Sequence, residues 1–285
     1  MSAIDLDHLR SWVGRELRIT DPLTPFPARA LAGALDHENL PEVGDALPPC
    51  WHWIYFLDPA RASAVGIDGH PHKGGFLPPV PLPRRMWAAG VLNIAHALRL
   101  GVAAEKISTI RSVEYKQGKT GVLVFVNLDH QIVQQGRLCV HEEQNLVYRD
   151  MPAGPVSMPA GESAPAKADW SRRLKPDPVL LFRYSALTYN AHRIHYDRDY
   201  AMHEEFYPAL VVHGPLLVTL LLDLVLREQP GLPIAQFRFR AVRPTFDLGS
   251  VQLCGQRDGD TVKLWSADDE HCIGMSASLV LGAKT

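Results

Sequence analysis

The sequence predicts an α+β chain built from two units, each a helix followed by several antiparallel strands. Three observations carry that expectation. A stretch rich in Pro, Ala, Gly and Ser, Met151 to Lys175, breaks the apolar periodicity and parts the 285 residues into about 1–150 and 176–285. Strand-like runs gather behind a helical stretch on each side of that break, which is not the alternation of a parallel sheet. The helical stretch of the second half is apolar around its whole circumference, so it must be buried on nearly every side.

In the first half, the loop His70–Pro83 (HPHKGGFLPPVPLP) gives way to a stretch read as helical, Arg84 to Leu100. Strand-like runs follow at Ile107–Tyr115, Gly121–Gln134 and Arg137–Tyr148. Residues 151–175 read as a linker. In the second half, Ala209–Pro215 leads into a helix that runs to about Glu228. Pro215 suits a first helical turn, and the leucines and valines from Leu216 to Leu226 point in all directions. Strand-like runs return at Ile234–Val242, Ser250–Gln256, Thr261–Ala267 and Cys272–Leu281. Phe237, Phe239 and Ala241 alternate with Arg238, Arg240 and Val242, and Asp258-Gly259-Asp260 marks a hairpin. A long helix wrapped by a curved antiparallel sheet is a hot-dog fold, and two such units in one chain make a double hot dog.

Composition narrows the function classes. A chain of 285 residues, 46% hydrophobic and 21% charged, buries an ample core without disulfides or a structural metal. With 29 Lys+Arg against 31 Asp+Glu, the net charge of −2 argues against a nucleic-acid binder. Cys50, Cys139, Cys254 and Cys272 form no C-x-x-C pair and read as reduced, mostly buried thiols. The N-terminus MSAIDLDHLRSWVGRE has no apolar signal core, and the apolar run Pro215–Leu226 is too short to span a bilayer and carries Asp223. The expectation is a soluble, cytoplasmic protein with no membrane partner.

The segment that carries chemistry is Phe182 to Ala201, FRYSALTYNAHRIHYDRDYA, which follows a β-like run. Ser185, Thr188, Asn190, His192, Arg193, His195 and Asp197 crowd this short loop, and such loops are where binding and catalysis concentrate. His195 is the natural proton-transfer group, because imidazole titrates near neutral pH. His213-Gly214-Pro215 opens the apolar helix, whose start offers free N–H groups and positive potential to an anionic oxygen. His192-x-x-His195 with Asp197 could be drawn as a metal site, but proton transfer explains the same residues, so no metal is assigned. Lys73-Gly74-Gly75 lacks the frame of a phosphate loop, and no G-x-S-x-G elbow is present. The tryptophans read chiefly as packing residues.

This segment resembles the motif of the (R)-specific enoyl-CoA hydratase and MaoC-like dehydratase superfamily, roughly Leu-Thr-Gly-Asp-x-Asn-Pro-Ile-His-x-Asp. Leu187, Thr188, Ile194, His195, Asp197 and Ala201 match it, whereas the motif's Asp falls on Asn190, its Asn on His192 and its Pro on Arg193. YSALTYNAHRIHYD together with GGFLPPVPLPRRMWAAG looks like the branch of itaconyl-CoA hydratase, mesaconyl-C4-CoA hydratase and the 3-hydroxyacyl-thioester dehydratases. The resemblance implies a hot-dog lyase that adds water to an enoyl-CoA, or removes it, with no cofactor beyond the CoA of its substrate. His195 would move the proton, Asn190 would orient the water, and the Gly214 N–H would hold the thioester oxygen. Arg193 would grip an acyl carboxylate, with Tyr189, His192, Asp197 and His213 beside the substrate. Arg84, Arg85 and Trp87 would serve the acyl or CoA part from the first half. That half would be a scaffold walling the acyl-CoA tunnel, and the second half would be catalytic. Chain dimerisation is expected by resemblance alone. The favoured substrate is a branched C5 dicarboxylic acyl-CoA, with itaconyl-CoA preferred and mesaconyl-C4-CoA next. The alternatives are a fatty-acid type 3-hydroxyacyl-ACP or -CoA dehydratase, a non-catalytic acyl-thioester binding protein, and a thioesterase on the same fold.

Overall fold

The computed structural model describes residues 4–118, 121–152, 154–155 and 160–282. In chain order the elements are α1 (Leu6–Arg10), β1 (Glu16–Asp21), α2 (Pro25–Ala34), β2 (Arg84–Ile94), β3 (Ala104–Gly118), β4 (Gly121–Gln134) and β5 (Arg137–Arg149). Then come β6 (Trp170–Leu174), α3 (Pro178–Leu187), α4 (Arg198–His203), α5 (Gly214–Glu228), β7 (Ile234–Ala241), β8 (Val251–Asp258), β9 (Thr261–Ala267) and β10 (Ile273–Leu281). The described strands form one antiparallel sheet in the order β1-β3-β4-β5-β2-β7-β10-β9-β8-β6. Read outward from the middle, β2-β5-β4-β3-β1 and β7-β10-β9-β8-β6 are the same arrangement twice, as expected of a double hot dog. The halves join where β2 pairs with β7, Ala89 opposite Arg240 through Asn93 opposite Gln236.

The all-round apolar helix is α5, and its residues Leu216 to Val225 are all buried. Its one buried charge, Asp223, is compensated by Arg227 at 2.8 Å, Arg172 of β6 at 3.0 Å and His37 at 2.7 Å. A carboxylate in a core requires that compensation. Those contacts also tie the helix to the edge strand and to the turn after α2.

Three sequence readings are corrected. Arg84 to Leu100 is not a helix: Arg84–Ile94 is strand β2, at the centre of the sheet. Half-buried along most of its length, it lacks the alternation that marks a strand with one exposed face, so its Ala, Met and Leu content read as helical. Gly90 reports the true environment, since a Cβ there would lie 2.6 Å from the Phe239 ring of the neighbouring strand. The linker reading ran through Lys175, yet Trp170–Leu174 pairs with β8 as an edge strand. Within that reading, residues 153 and 156–159 lie outside the described residues. The β-like run before the polar loop is the helix α3, started by Pro178 and capped by Asp177, whose carboxylate accepts from the Leu180 N–H at 2.8 Å. The first half's own helices, α1 and α2, stood outside the sequence reading.

Candidate active site

The polar loop folds locally for reasons written in its residues. At the end of α3, Tyr189 takes a left-handed conformation, φ 51°, and reverses the chain. The Asn190 N–H then donates to the Ser185 carbonyl at 2.9 Å, and the Asn190 side-chain oxygen accepts from the His192 N–H at 3.0 Å. An Asn that accepts from the backbone two residues on builds its own turn. A short 3-10 turn, Arg193–His195, follows, and the carboxylate of Asp197 caps α4 by accepting from the Tyr200 N–H at 3.1 Å.

That folding lines up four imidazoles. Ring centroids lie 4.1 Å apart for His70 and His192, 5.6 Å for His192 and His195, and 3.7 Å for the stacked His195 and His213. His195 is buried and its Nδ1–H donates to the Val211 carbonyl at 2.8 Å. Since a carbonyl only accepts, this bond fixes the tautomer and leaves Nε2 with its lone pair. Burial holds the His195 imidazole well below its ordinary pKa, and the neighbouring His213 and His192 add to that. Burial likewise pushes His213 down to about 3. Both are therefore neutral imidazoles at physiological pH. His213 Nε2 meets the Ser185 hydroxyl at 2.8 Å, and its Nδ1 is buried without a partner among the described residues. His192 Nε2 donates to Glu205 at 2.8 Å.

A cavity of about 280 Å³ opens beside this row. Asn190, His213 and Pro215 line one side of it, and Trp53, Trp87, Lys106, Glu142 and Gln144 of the first half line another. His195 lies directly behind the His213 ring rather than on the cavity wall. Gly214 is the first residue of α5, where N–H groups have no intrahelical acceptor. A Cβ there would come only to 3.8 Å from Met275 and 3.9 Å from the Trp87 carbonyl.

A loop of the first half completes the surroundings. The Arg193 N–H donates to the Asp68 carbonyl at 2.9 Å, and Gly69 approaches so closely that a Cβ would sit 1.7 Å from the Ala191 carbonyl oxygen. Asp68 and His70 are bonded at 2.9 Å. Burial opposes the Asp68 charge, but the bonds from His70 outweigh it and hold that carboxyl well below its usual range. Burial also pushes His70 down to about 4. A second cavity, about 130 Å³, is lined by Asp68, His70, His72, Lys73 and Arg85. Donor atoms of Asp68, His70 and His192 lie within 4.8 Å of one another and could together hold a metal ion, although His192 is engaged by Glu205. Asp268, Glu270 and Cys272 form a separate cluster of the same kind.

Other residues singled out in the sequence stand apart from the larger cavity. Arg193 is gripped by Asp197 at 2.8 and 3.0 Å and lies over the Tyr200 ring. Tyr189 is exposed. Arg84 is tied to Glu205, through its side chain at 3.3 Å and its backbone carbonyl, and packs on Tyr207. Arg85 faces the smaller cavity. The sequence reading missed Trp53, Lys106, Glu142, Gln144, Asp68, His70 and Glu205. Lys106, Glu142 and Gln144 carried one usable signal, namely polar residues at inward positions of strands.

A sheet that repeats one strand order, packed on the central helix α5 and with an Asn/His loop set against that helix's start, defines a double hot-dog protein of the MaoC-like kind. Among solved structures, the MaoC-like dehydratase from Phytophthora capsici aligns with a TM-score of 0.70 over 98% of both chains at 12% identity. A Mycobacterium tuberculosis protein described as having a double hotdog fold aligns at 0.57, over 95% of this chain and 96% of that one, at 11% identity. A model of the family "hydroxyacyl-thioester dehydratase type 2" matches residues 50–247. The chain is 44% identical over 274 residues to the mesaconyl-C(4)-CoA hydratase of Chloroflexus aurantiacus, covering 95% of this chain and 97% of that protein. The chain belongs to the hydroxyacyl-thioester dehydratase type 2 family of MaoC-like hot-dog proteins.

Proposed function

We propose that this protein is a hydro-lyase that adds water to a short dicarboxylic enoyl-CoA, with mesaconyl-C4-CoA as its substrate and itaconyl-CoA as the second candidate. The carrying observation is that Asn190 and His213 line one cavity with the start of α5, in a chain 44% identical to a mesaconyl-C(4)-CoA hydratase.

In the reaction, the oxygen of water bonds to the β-carbon of the enoyl thioester while water gives one proton to a base. The electron pair of the double bond moves onto the thioester oxygen as an enolate. The α-carbon then takes up a proton, so that one whole water is added. His195 is read as the base through its unprotonated Nε2, with the stacked His213 ring positioning it. Asn190, an amide without basicity, orients the water. The Gly214 N–H stabilises the enolate oxygen, a role commonly worth about 2.7–4 kcal/mol. Trp87 walls the acyl group, and Arg85 at the smaller cavity is read as a contact for CoA phosphate. We further read the protein as cytoplasmic and homodimeric, the latter checked by light scattering of the purified chain. No described helix is long and apolar enough to cross a membrane.

The test is turnover of mesaconyl-C4-CoA, itaconyl-CoA and crotonyl-CoA by the purified protein, with product mass read by chromatography. Gain of one water on a dicarboxylic substrate, well ahead of crotonyl-CoA, is the expected result. Better use of crotonyl-CoA would move the assignment to a general 3-hydroxyacyl-thioester dehydratase. Binding without turnover would leave a non-catalytic acyl-thioester protein.

A further inference from the structure

The inner face of the first half-sheet faces the core and should be apolar, yet a polar band crosses its middle. Side chains two apart on a strand share a face, and register places partners side by side. Ser108 of β3 stands opposite His130 of β4, which stands opposite Glu142 of β5. Lys106 and Gln144 flank that row at the next inward positions. Ser108, His130 and Glu142 are all buried.

Most of the band satisfies itself. His130 meets the Ser108 hydroxyl at 2.8 Å and the Gln144 side-chain oxygen at 3.1 Å. Glu142 accepts from Trp53 at 3.1 Å and is bonded to His52 at 2.8 Å. Lys106 is different. Among the described residues its ammonium makes no hydrogen bond or ion pair; burial lowers its pKa and only the Glu142 charge opposes that. The amide NH2 of Gln144 likewise has no acceptor among the described residues, because its oxygen is the atom that faces His130. Both side chains line the cavity that Asn190 and His213 line.

We propose that Lys106, helped by the Gln144 amide, receives the free carboxylate of the acyl group and sets the preference for a dicarboxylic substrate. This rests on the dicarboxylic enoyl-CoA reading above. A half-buried cation held on a rigid strand at a cavity wall, with no partner of its own among the described residues, gains most from an anion that enters the cavity and pairs with it. A site built around such a group rejects an analogue that leaves the group unpaired. Arg193, the guanidinium that the sequence offered for this task, is already paired with Asp197.

The experiment measures kcat/KM for mesaconyl-C4-CoA and for crotonyl-CoA, which lacks the carboxylate, in the wild type, K106M and K106R. In K106M the ratio of the two falls by about 10- to 100-fold, the range for a lost charge-assisted hydrogen bond. Most of the loss appears in KM, because the carboxylate is bound equally in ground and transition states. K106R, which keeps the charge, retains more of the ratio than K106M. A K106M ratio within about twofold of wild type overturns the proposal, as does equal loss on both substrates. Should K106M prove unstable on melting, K106Q removes the charge while keeping a polar group, and the same ratio decides. A wild-type protein with no preference for the dicarboxylic thioester is a separate outcome, because it overturns the substrate reading itself.

Discussion

The imidazoles of His195 and His213 lie face to face, 3.7 Å between ring centroids and 19° between planes. One ring sits on the cavity wall and the other behind it, and both are kept neutral by burial. The sequence motif points to His195 as the base, whereas the cavity touches His213, so the pair is best tested together.

His195→Ala is expected to lower kcat by about 10²–10⁴-fold, the usual worth of a positioned acid–base group. His213→Asn should cost less, since it disturbs only the stack and the Ser185 bond. Steady-state turnover of mesaconyl-C4-CoA checks both, and the reverse ranking would make His213 the base. Asn190→Asp supplies the carboxylate that the superfamily motif carries. Its pH–rate profile should gain a second acidic limb, set by the new carboxylate, beside the one that His195 sets.

Arg193→Ala should leave the preference for a dicarboxylic substrate in place. The Arg193–Asp197 pair is roughly one-third exposed, at 34% and 29%, so its loss should cost about 0–1 kcal/mol. Chemical denaturation together with the mesaconyl-C4-CoA to crotonyl-CoA ratio measures both effects. A collapse of that ratio would return Arg193 to the role of carboxylate reader.

Acid should destabilise the fold from about pH 6.5 downward, through its buried histidines. Burial pushes His130 to about 4 and His213 to about 3, against an unfolded value near 6.5. The unfolded chain therefore binds more protons as pH falls below about 6.5, and stability declines through that window down to the folded values. Each such histidine contributes about 1.4 kcal/mol per pH unit to the slope. Glu142 acts in the same sense at lower pH: burial opposes its charge, yet the His52 bond and nearby cations bring it down to about 2. Urea unfolding between pH 7.5 and 4.5 should show stability nearly level above pH 7 and falling below 6.5. His130→Gln should flatten that fall, and an unchanged slope would contradict the assignment.

Gly69→Ala should force apart the two loops that meet at the site. Gly69 has φ +89°, and a Cβ would lie 1.7 Å from the Ala191 carbonyl oxygen. The expected cost is about 1–3 kcal/mol, accompanied by lower kcat/KM, because the displaced backbone carries Asn190 and His192. Denaturation and kinetics on the same preparation would show whether the two losses occur together.

The hydrophobic pattern determined the central helix of the second half. A helix apolar on all sides must be buried on nearly every side, and the strand runs that follow it supply the sheet against which α5 packs at the predicted position. The strand runs β3 to β5 and β7 to β10 were equally legible, because an alternation or an apolar run bounded by turn residues is set within the strand itself. The polar loop was legible too, as Asn190 and Asp197 make turns and caps with their own neighbours.

Tertiary structure alone decided the rest. Arg84–Ile94 became a strand because β5 and β7 both pair with it, a partnership with no local signal. Trp170–Leu174 became an edge strand for the same reason, by pairing with residues more than seventy positions on. The cavity joins Lys106, Glu142 and Gln144 of one half to Asn190 and His213 of the other. Which inward polar side chains meet in space depends on sheet register and on packing between halves. Local propensity carries neither, so the catalytic loop could be read from the sequence and the wall facing it could not.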